Sequence, residues 1–248
     1  MCATPAGPGE PDIAHAANWF ADPTRSRILT ALAGGRALPA GQLAAEAGVT
    51  AQAASAQLAR LREAGLLAVE QSGRHRYYRL ASAQVAAVIE ALAGMAPLQP
   101  VRSLRQGNRS AALRAARTCY DHLAGRLGVE VTRALVDRGA LITADRPDGT
   151  AHLPSDPPAH RLGPRGPQLL AALGVSDDVL TAAVRRPLLR FCLDWSEQRH
   201  HLAGRLGAEL LTAMTASGWL EQSPRQRAVR VTPAGAAHLQ AVLGLSTA

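Results

Sequence analysis

Two short stretches of the chain carry the same kinds of ligating and acid–base side chains: Cys119, Asp121 and His122 in the first, Cys192, Asp194 and His201 in the second. Thiolates and imidazoles together suit a soft or borderline divalent ion such as Zn²⁺. The spacing predicts Cys119 and His122 at i, i+3 on one helix face. Three other uses remain open for the same groups. They could line a pocket for an organic effector. They could be structural, since Cys is often a small buried apolar residue and Asp or His near a helix start is often a cap or a core hydrogen-bonding group. Or they could form a Cys–His enzyme, with Cys119 as nucleophile and Asp121 or Asp194 orienting an imidazole, although no known nucleophile signature surrounds either Cys.

The stretches belong to a longer internal likeness. His122-Leu123-Ala124-Gly125-Arg126-Leu127-Gly128 recurs letter for letter as His201-Leu202-Ala203-Gly204-Arg205-Leu206-Gly207, with six extra residues, Trp195 to His200, ahead of the second copy. Downstream, Val136-Asp137-Arg138-Gly139-Ala140-Leu141 parallels Thr215-Ala216-Ser217-Gly218-Trp219-Leu220, and residues 161–166 parallel 230–235. Landmarks in one order indicate an internal duplication. Each half reads helix, short β segment, helix, like a trimmed winged-helix unit. Two such halves about a pseudo-twofold, buried through Leu123, Leu127, Leu202 and Leu206, would bring the six polar residues together. Residues 145–163, dense in Pro and Asp, read as a long loop.

A second constellation precedes this one. Asp22 and Pro23 open a helix that buries Ile28, Leu29 and Leu32 and ends at Gly34-Gly35; a short helix over 39–47 stops at Gly48; Thr50 caps a third that runs to Ala64. Ala54, Leu58 and Leu61 share the inner face of the third helix, while Gln52, Ser55, Gln57 and Arg60 lie on or beside the outer one. Small residues let a helix approach a groove floor, and Gln can pair with adenine through two hydrogen bonds. Residues 66–70 and 77–80 bracket a basic hairpin tip carrying Arg74, His75 and Arg76, placed to meet a minor groove or the flanking phosphates.

Through Ala21-Asp22-Pro23-Thr24-Arg25, Leu61-Arg62-Glu63-Ala64-Gly65-Leu66-Leu67 and the hairpin closing at Leu80, residues 12–96 resemble the ArsR family of winged helix-turn-helix regulators. The resemblance implies a homodimer that represses from a palindromic operator on double-stranded DNA and lets go when an inducer binds. It places Thr50, Gln52, Ser55, Gln57 and Arg60 in the major groove and Arg74, His75 and Arg76 on the wing, with the helices over 12–20 and 82–95 as the dimer interface. The chain departs from the family twice. Residues 42–47 hold no thiol, and residues 82–96 offer only Glu90 as a ligand, so neither of the family's familiar metal sites can form.

The whole chain has 248 residues, 47% hydrophobic and 3% aromatic, enough for two domains with small aliphatic cores. A mainly α fold with small β-wings is expected: a tail over 1–11, a winged helix-turn-helix domain over 12–97, a basic linker over 98–112 and a duplicated α-rich domain over 113–248. The net charge of +8, carried by 27 arginines and no lysine, suits a polyanionic partner. Arg102, Arg105, Arg109, Arg114 and Arg117 read as phosphate contacts or a solvated linker. Cys2, Cys119 and Cys192 make no disulfide framework, and no run reaches the roughly 18 to 20 apolar residues that span a bilayer, so a cytoplasmic protein without a membrane partner is expected. The effector, a metal ion or a small molecule, falls to the C-terminal domain, unless that domain only dimerises or docks a partner.

Overall fold

The computed structural model describes residues 10–144, 159–223 and 226–247. Its contacts divide the chain into one unit of Met1–Leu32 and Ala37–Ala81 and another of Ala33–Arg36 and Ser82–Ala248. This differs from a boundary at 97: the helix over 83–95 groups with the C-terminal unit.

In the first unit, the Asp12 carboxylate accepts from the His15 N–H at the start of α1 (Ile13–Ala21), and Asp22 does the same for Arg25 in α2 (Pro23–Leu32). Next come β1 (Leu38–Pro39), α3 (Ala40–Ala47) and α4 (Ala51–Glu63), with Gly48 left-handed at the end of α3 and the Thr50 hydroxyl accepting from Ala53 N–H. The hairpin of β2 (Leu67–Ser72) and β3 (His75–Leu80) completes a sheet of order β1-β3-β2. Pro39, expected to start a helix, instead pairs with Tyr77 at the sheet edge, where its missing N–H costs no ladder bond. The core is Ile28, Leu29, Leu32, Leu43, Leu58, Leu61 and Leu80.

The second unit begins with α5 (Ala83–Met95) and α6 (Leu104–Ala115), capped by Ser103. Much of the expected basic linker is therefore helical. Hairpin β4 (Arg117–Cys119) and β5 (His122–Ala124) leads into α7 (Gly125–Asp137), the pair β6 (Leu141–Thr143) and β7 (His160–Leu162), and helices α8 (Gly166–Ala172) and α9 (Asp177–Thr181). Hairpin β8 (Arg190–Leu193) and β9 (His200–Ala203) then leads into α10 (Gly204–Ala216), the pair β10 (Leu220–Gln222) and β11 (Val229–Val231), and α11 (Pro233–Leu243). Of the expected loop over 145–163, residues 145–158 lie outside those described, and 160–162 are strand.

The repeated heptapeptide has a geometric reason. Gly125 and Gly204 turn each hairpin into its helix at φ of 76° and 75°, and a Cβ there would lie 2.8 Å from the Arg114 or Leu188 carbonyl oxygen. One helical turn on, a Cβ on Gly128 would stand 3.6 Å from His201 Cβ, and one on Gly207 3.2 Å from His122 Cβ. Each helix is thus bare where the other half's histidine packs. Leu123, Leu127, Leu202 and Leu206 are all buried in one core. At Gly207 a Cβ would also meet the Leu202 carbonyl oxygen at 2.6 Å, so Gly207→Ala should destabilise the second unit by about 1–3 kcal/mol through overpacking. Urea melts of the two proteins measure it, and equal midpoints would contradict the packing argument.

Candidate metal centre and DNA-reading face

The two hairpins converge. Cys119 pairs with His122 across β4 and β5, and Cys192 with His201 across β8 and β9. Strand pairing, not a helix face, therefore brings each thiol beside its imidazole, because the turn at Tyr120, with φ of 58°, reverses the chain. The ligand atoms of Cys119, His122, Cys192 and His201 all lie within 4.8 Å of one another. The two Nε2 atoms are 3.2 Å apart; on one tetrahedral zinc, two imidazole nitrogens stand roughly 3.3 Å apart. His201 is fully buried, His122 and Cys119 nearly so, and Cys192 is half-buried. A two-thiol, two-imidazole set of this size fits a soft or borderline divalent ion.

The two aspartates stand behind the imidazoles rather than among the ligands. Asp121 Oδ1 lies 3.3 Å from His122 Nδ1, and its carboxylate is clamped by Arg186 at 2.6 and 3.0 Å. Asp194 Oδ2 lies 3.4 Å from His201 Nδ1, out of line for a hydrogen bond, so that nitrogen has none. The Asp194 carboxylate is otherwise saturated. It accepts from Gly125 N–H at 2.7 Å, Arg117 at 3.0 Å, Ser196 N–H at 2.9 Å and the Ser196 hydroxyl at 2.8 Å. A carboxylate hydrogen-bonded to an imidazole as Asp121 is to His122 orients the ring and raises its basicity.

Charge distinguishes the two halves. Burial opposes protonation of His122, but the Asp121 hydrogen bond and the Cys119 thiol outweigh it and raise its pKa to about 9. Burial, with His122 as a charged neighbour, pushes His201 down to about 3. Asp121, against its own burial, is held at about 2 by His122 and Arg186. The hydrogen bond between the thiols raises Cys119, with burial adding to it, and lowers Cys192. One imidazole therefore carries a proton toward its neutral partner, and one thiol toward the other. A raised thiol is the reverse of what a nucleophilic Cys119 needs.

Sequence reasoning missed the residues that tie this centre to α5. Arg117, read as part of the linker, is fully buried; it donates to Asp194 and, at 3.2 Å, to Glu90 of α5, with Trp195 stacked 4.7 Å away. Glu90, dismissed as a lone ligand, also pairs with Arg227. The only available signal was negative: no hydrophobic periodicity separates a buried arginine from its solvated neighbours.

In the first unit, Gln52, Ser55 and Arg60 are exposed on α4. Gln57 is half-buried and accepts from Arg25, and the Thr50 hydroxyl is engaged as the cap. Arg74, His75 and Arg76 are exposed at the tip of β2 and β3, with Gly73 left-handed in the turn. The hairpin strands run further than expected, placing His75 on a strand paired with Ser72.

Residues 20–70 match a helix-turn-helix domain family. Over 225 residues, 91% of this chain and 94% of the relative, the sequence is 41% identical to an uncharacterized HTH-type transcriptional regulator, YdfF, of Bacillus subtilis strain 168. The chain belongs to the ArsR-type winged helix-turn-helix transcriptional regulators. The likeness of this regulator to YdfF runs through both units, whereas that to CmtR of Mycobacterium tuberculosis H37Rv, 43% identical, covers 77 residues, 31% of this chain and 64% of CmtR. The homodimeric winged helix-turn-helix DNA-binding domain Mb0332 of Mycobacterium bovis is 30% identical, covering 32% of this chain and 73% of that one, with a TM-score of 0.30. Both curated relatives are HTH-type transcriptional regulators. No helix among the described residues of the regulator is long and apolar enough to cross a membrane.

The shifted imidazole predicts that the regulator loses stability in alkali. Because His122 is raised from an ordinary 6.5 to about 9, its stabilising contribution is complete below 6.5 and lost as pH rises through 9. The melting temperature of EDTA-treated protein should fall over that interval, and His122→Gln should flatten the fall. An alkaline limb of the same steepness in both proteins would contradict the assignment.

Proposed function

We propose that this regulator is a homodimeric repressor that binds a palindromic operator through Gln52, Ser55, Arg60 and the wing arginines, and is released when a divalent thiophilic ion binds Cys119, His122, Cys192 and His201. The observation that carries this reading is the convergence of two thiols and two imidazoles within 4.8 Å from hairpins far apart in the sequence. Asp121 would orient the His122 imidazole. The internal likeness of the two halves is read as a duplication that supplied the matched ligand pairs.

A route to the rest of the unit supports it. From His201, the buried sequence Asp194, Arg117, Glu90 leads to α5. The outer surface of α5 carries exposed Val88, Leu92 and Met95 at i, i+4 and i+7, an apolar row suited to self-association. An ion that reorients His201 acts on Asp194 and so on the helix that holds this row.

Two measurements test the reading. Purified untagged protein should bind one Zn²⁺ or Cd²⁺ per chain and lose operator affinity on binding it, while Cys119→Ala and Cys192→Ala should stay on DNA at every metal concentration. Metal bound at full stoichiometry with unchanged operator affinity would refute the sensor and leave the DNA-binding assignment standing. On the DNA side, Arg74→Ala should weaken all sequences alike and lower the salt slope, and Gln52→Ala should relax base preference. Leu92→Glu should give monomers in light scattering and reduce operator affinity about a hundredfold or more, since the two half-sites are then no longer engaged together. A dimeric Leu92→Glu protein would place the interface elsewhere.

A further inference from the structure

We propose that the second unit also holds a pocket for an amphipathic organic anion, a molecule with an apolar, flat or flexible body and one carboxylate-type or sulfonate-type head. The pocket is a cavity of about 960 Å³, at the upper end of the range for small-molecule sites. An ion needs no such volume and no apolar wall, so the feature goes beyond metal binding and stands without it.

The walls define the body of the ligand. One is the small-residue face of α5, where Ala83, Ala87, Ala91 and Gly94 recur at helical spacing and leave room that larger side chains would fill. The facing wall is strand β8 with the residue before it, where Leu189, Phe191 and Leu193 border the cavity, and Trp195 lies beyond. Aliphatic and aromatic surface on both sides favours an apolar occupant.

The charges define the head. Among the lining residues, Glu90 is neutralised by Arg117 and Arg227, and Arg186 by Asp121. Arg190 also lines the cavity, is exposed, and has no ion-pair partner among the described residues. It adds an unpaired positive charge to a mostly apolar wall. The His160 ring, packed 5.1 Å from Phe191, extends the flat wall. The exposed Arg190 guanidinium suits a single oxyanion head. The cavity reaches Cys119, His122 and Cys192, so its occupant would rest against the metal centre on one side and α5 on the other.

The test uses the full chain, EDTA-treated and Zn²⁺-loaded, titrated with the fluorescent probe 1-anilinonaphthalene-8-sulfonate, an aromatic sulfonate. The expected result in both forms is one saturable, blue-shifted site per chain that decanoate displaces. Arg190→Gln should weaken probe binding about tenfold or more, the loss of a charge-assisted hydrogen bond. Ala87→Trp should abolish it by filling the space. Arg190 has no partner to lose, so its variant keeps the test decisive if Ala87→Trp fails to fold by circular dichroism. Absence of a saturable site in the native protein, or probe binding by Arg190→Gln equal to that of the native protein, would overturn the proposal. Metal stoichiometry is measured separately, so either reading can fail alone.

Discussion

One buried carboxylate organises the second unit. Asp194 is fully inaccessible, and such a charge persists inside a protein only when its oxygens are satisfied. Here Gly125 N–H, at the start of α7, and the Arg117 guanidinium share Oδ2, while Ser196 and Glu197 N–H groups take Oδ1. That set of bonds fixes the exit of the first hairpin from the loop of the second. The spacing of the two histidines follows from it, as does the burial of Arg117 between Asp194 and Glu90.

The cluster of Cys119, His122, Cys192 and His201 depends on shared protons. An Nε2 pair at 3.2 Å is tolerable only if one ring donates to the other, and Asp121 supplies the bias that makes His122 the donor. The second half lacks an equivalent, since Asp194 is out of line with His201 and already saturated. Similar sequences thus yield imidazoles of opposite tendency, because the two-residue turn of the first hairpin sets Asp121 beside its ring and the longer loop of the second turns Asp194 toward Arg117.

How much of this was legible depended on the kind of signal. The reading unit was clear, since Asp22-Pro23, Gly48 and Thr50 are local caps and turns whose effects need no distant partner. The four convergent side chains, Cys119, His122, Cys192 and His201, stand out through the repeated heptapeptide, whose glycines are required by backbone approaches of under 3 Å. Their secondary structure was misread because an i, i+3 pair fits a helix face and a tight hairpin equally well. Arg117 and Glu90 were missed because each is stabilised only by the other and by Asp194 and Arg227, contacts between residues far apart in the chain that leave no periodicity behind.

The reciprocal glycines have a consequence for how the molecule is made. Gly128 borders His201 and Gly207 borders His122, so neither helix finds its packing partner until both hairpins exist. During synthesis Cys119 and His122 emerge first and face an empty notch, offering an ion only two ligands. The complete set of donors arises only after the chain has passed Gly207. Loading with an ion would then report that the whole second unit has been translated and closed, and a truncated product would have no means of imitating it.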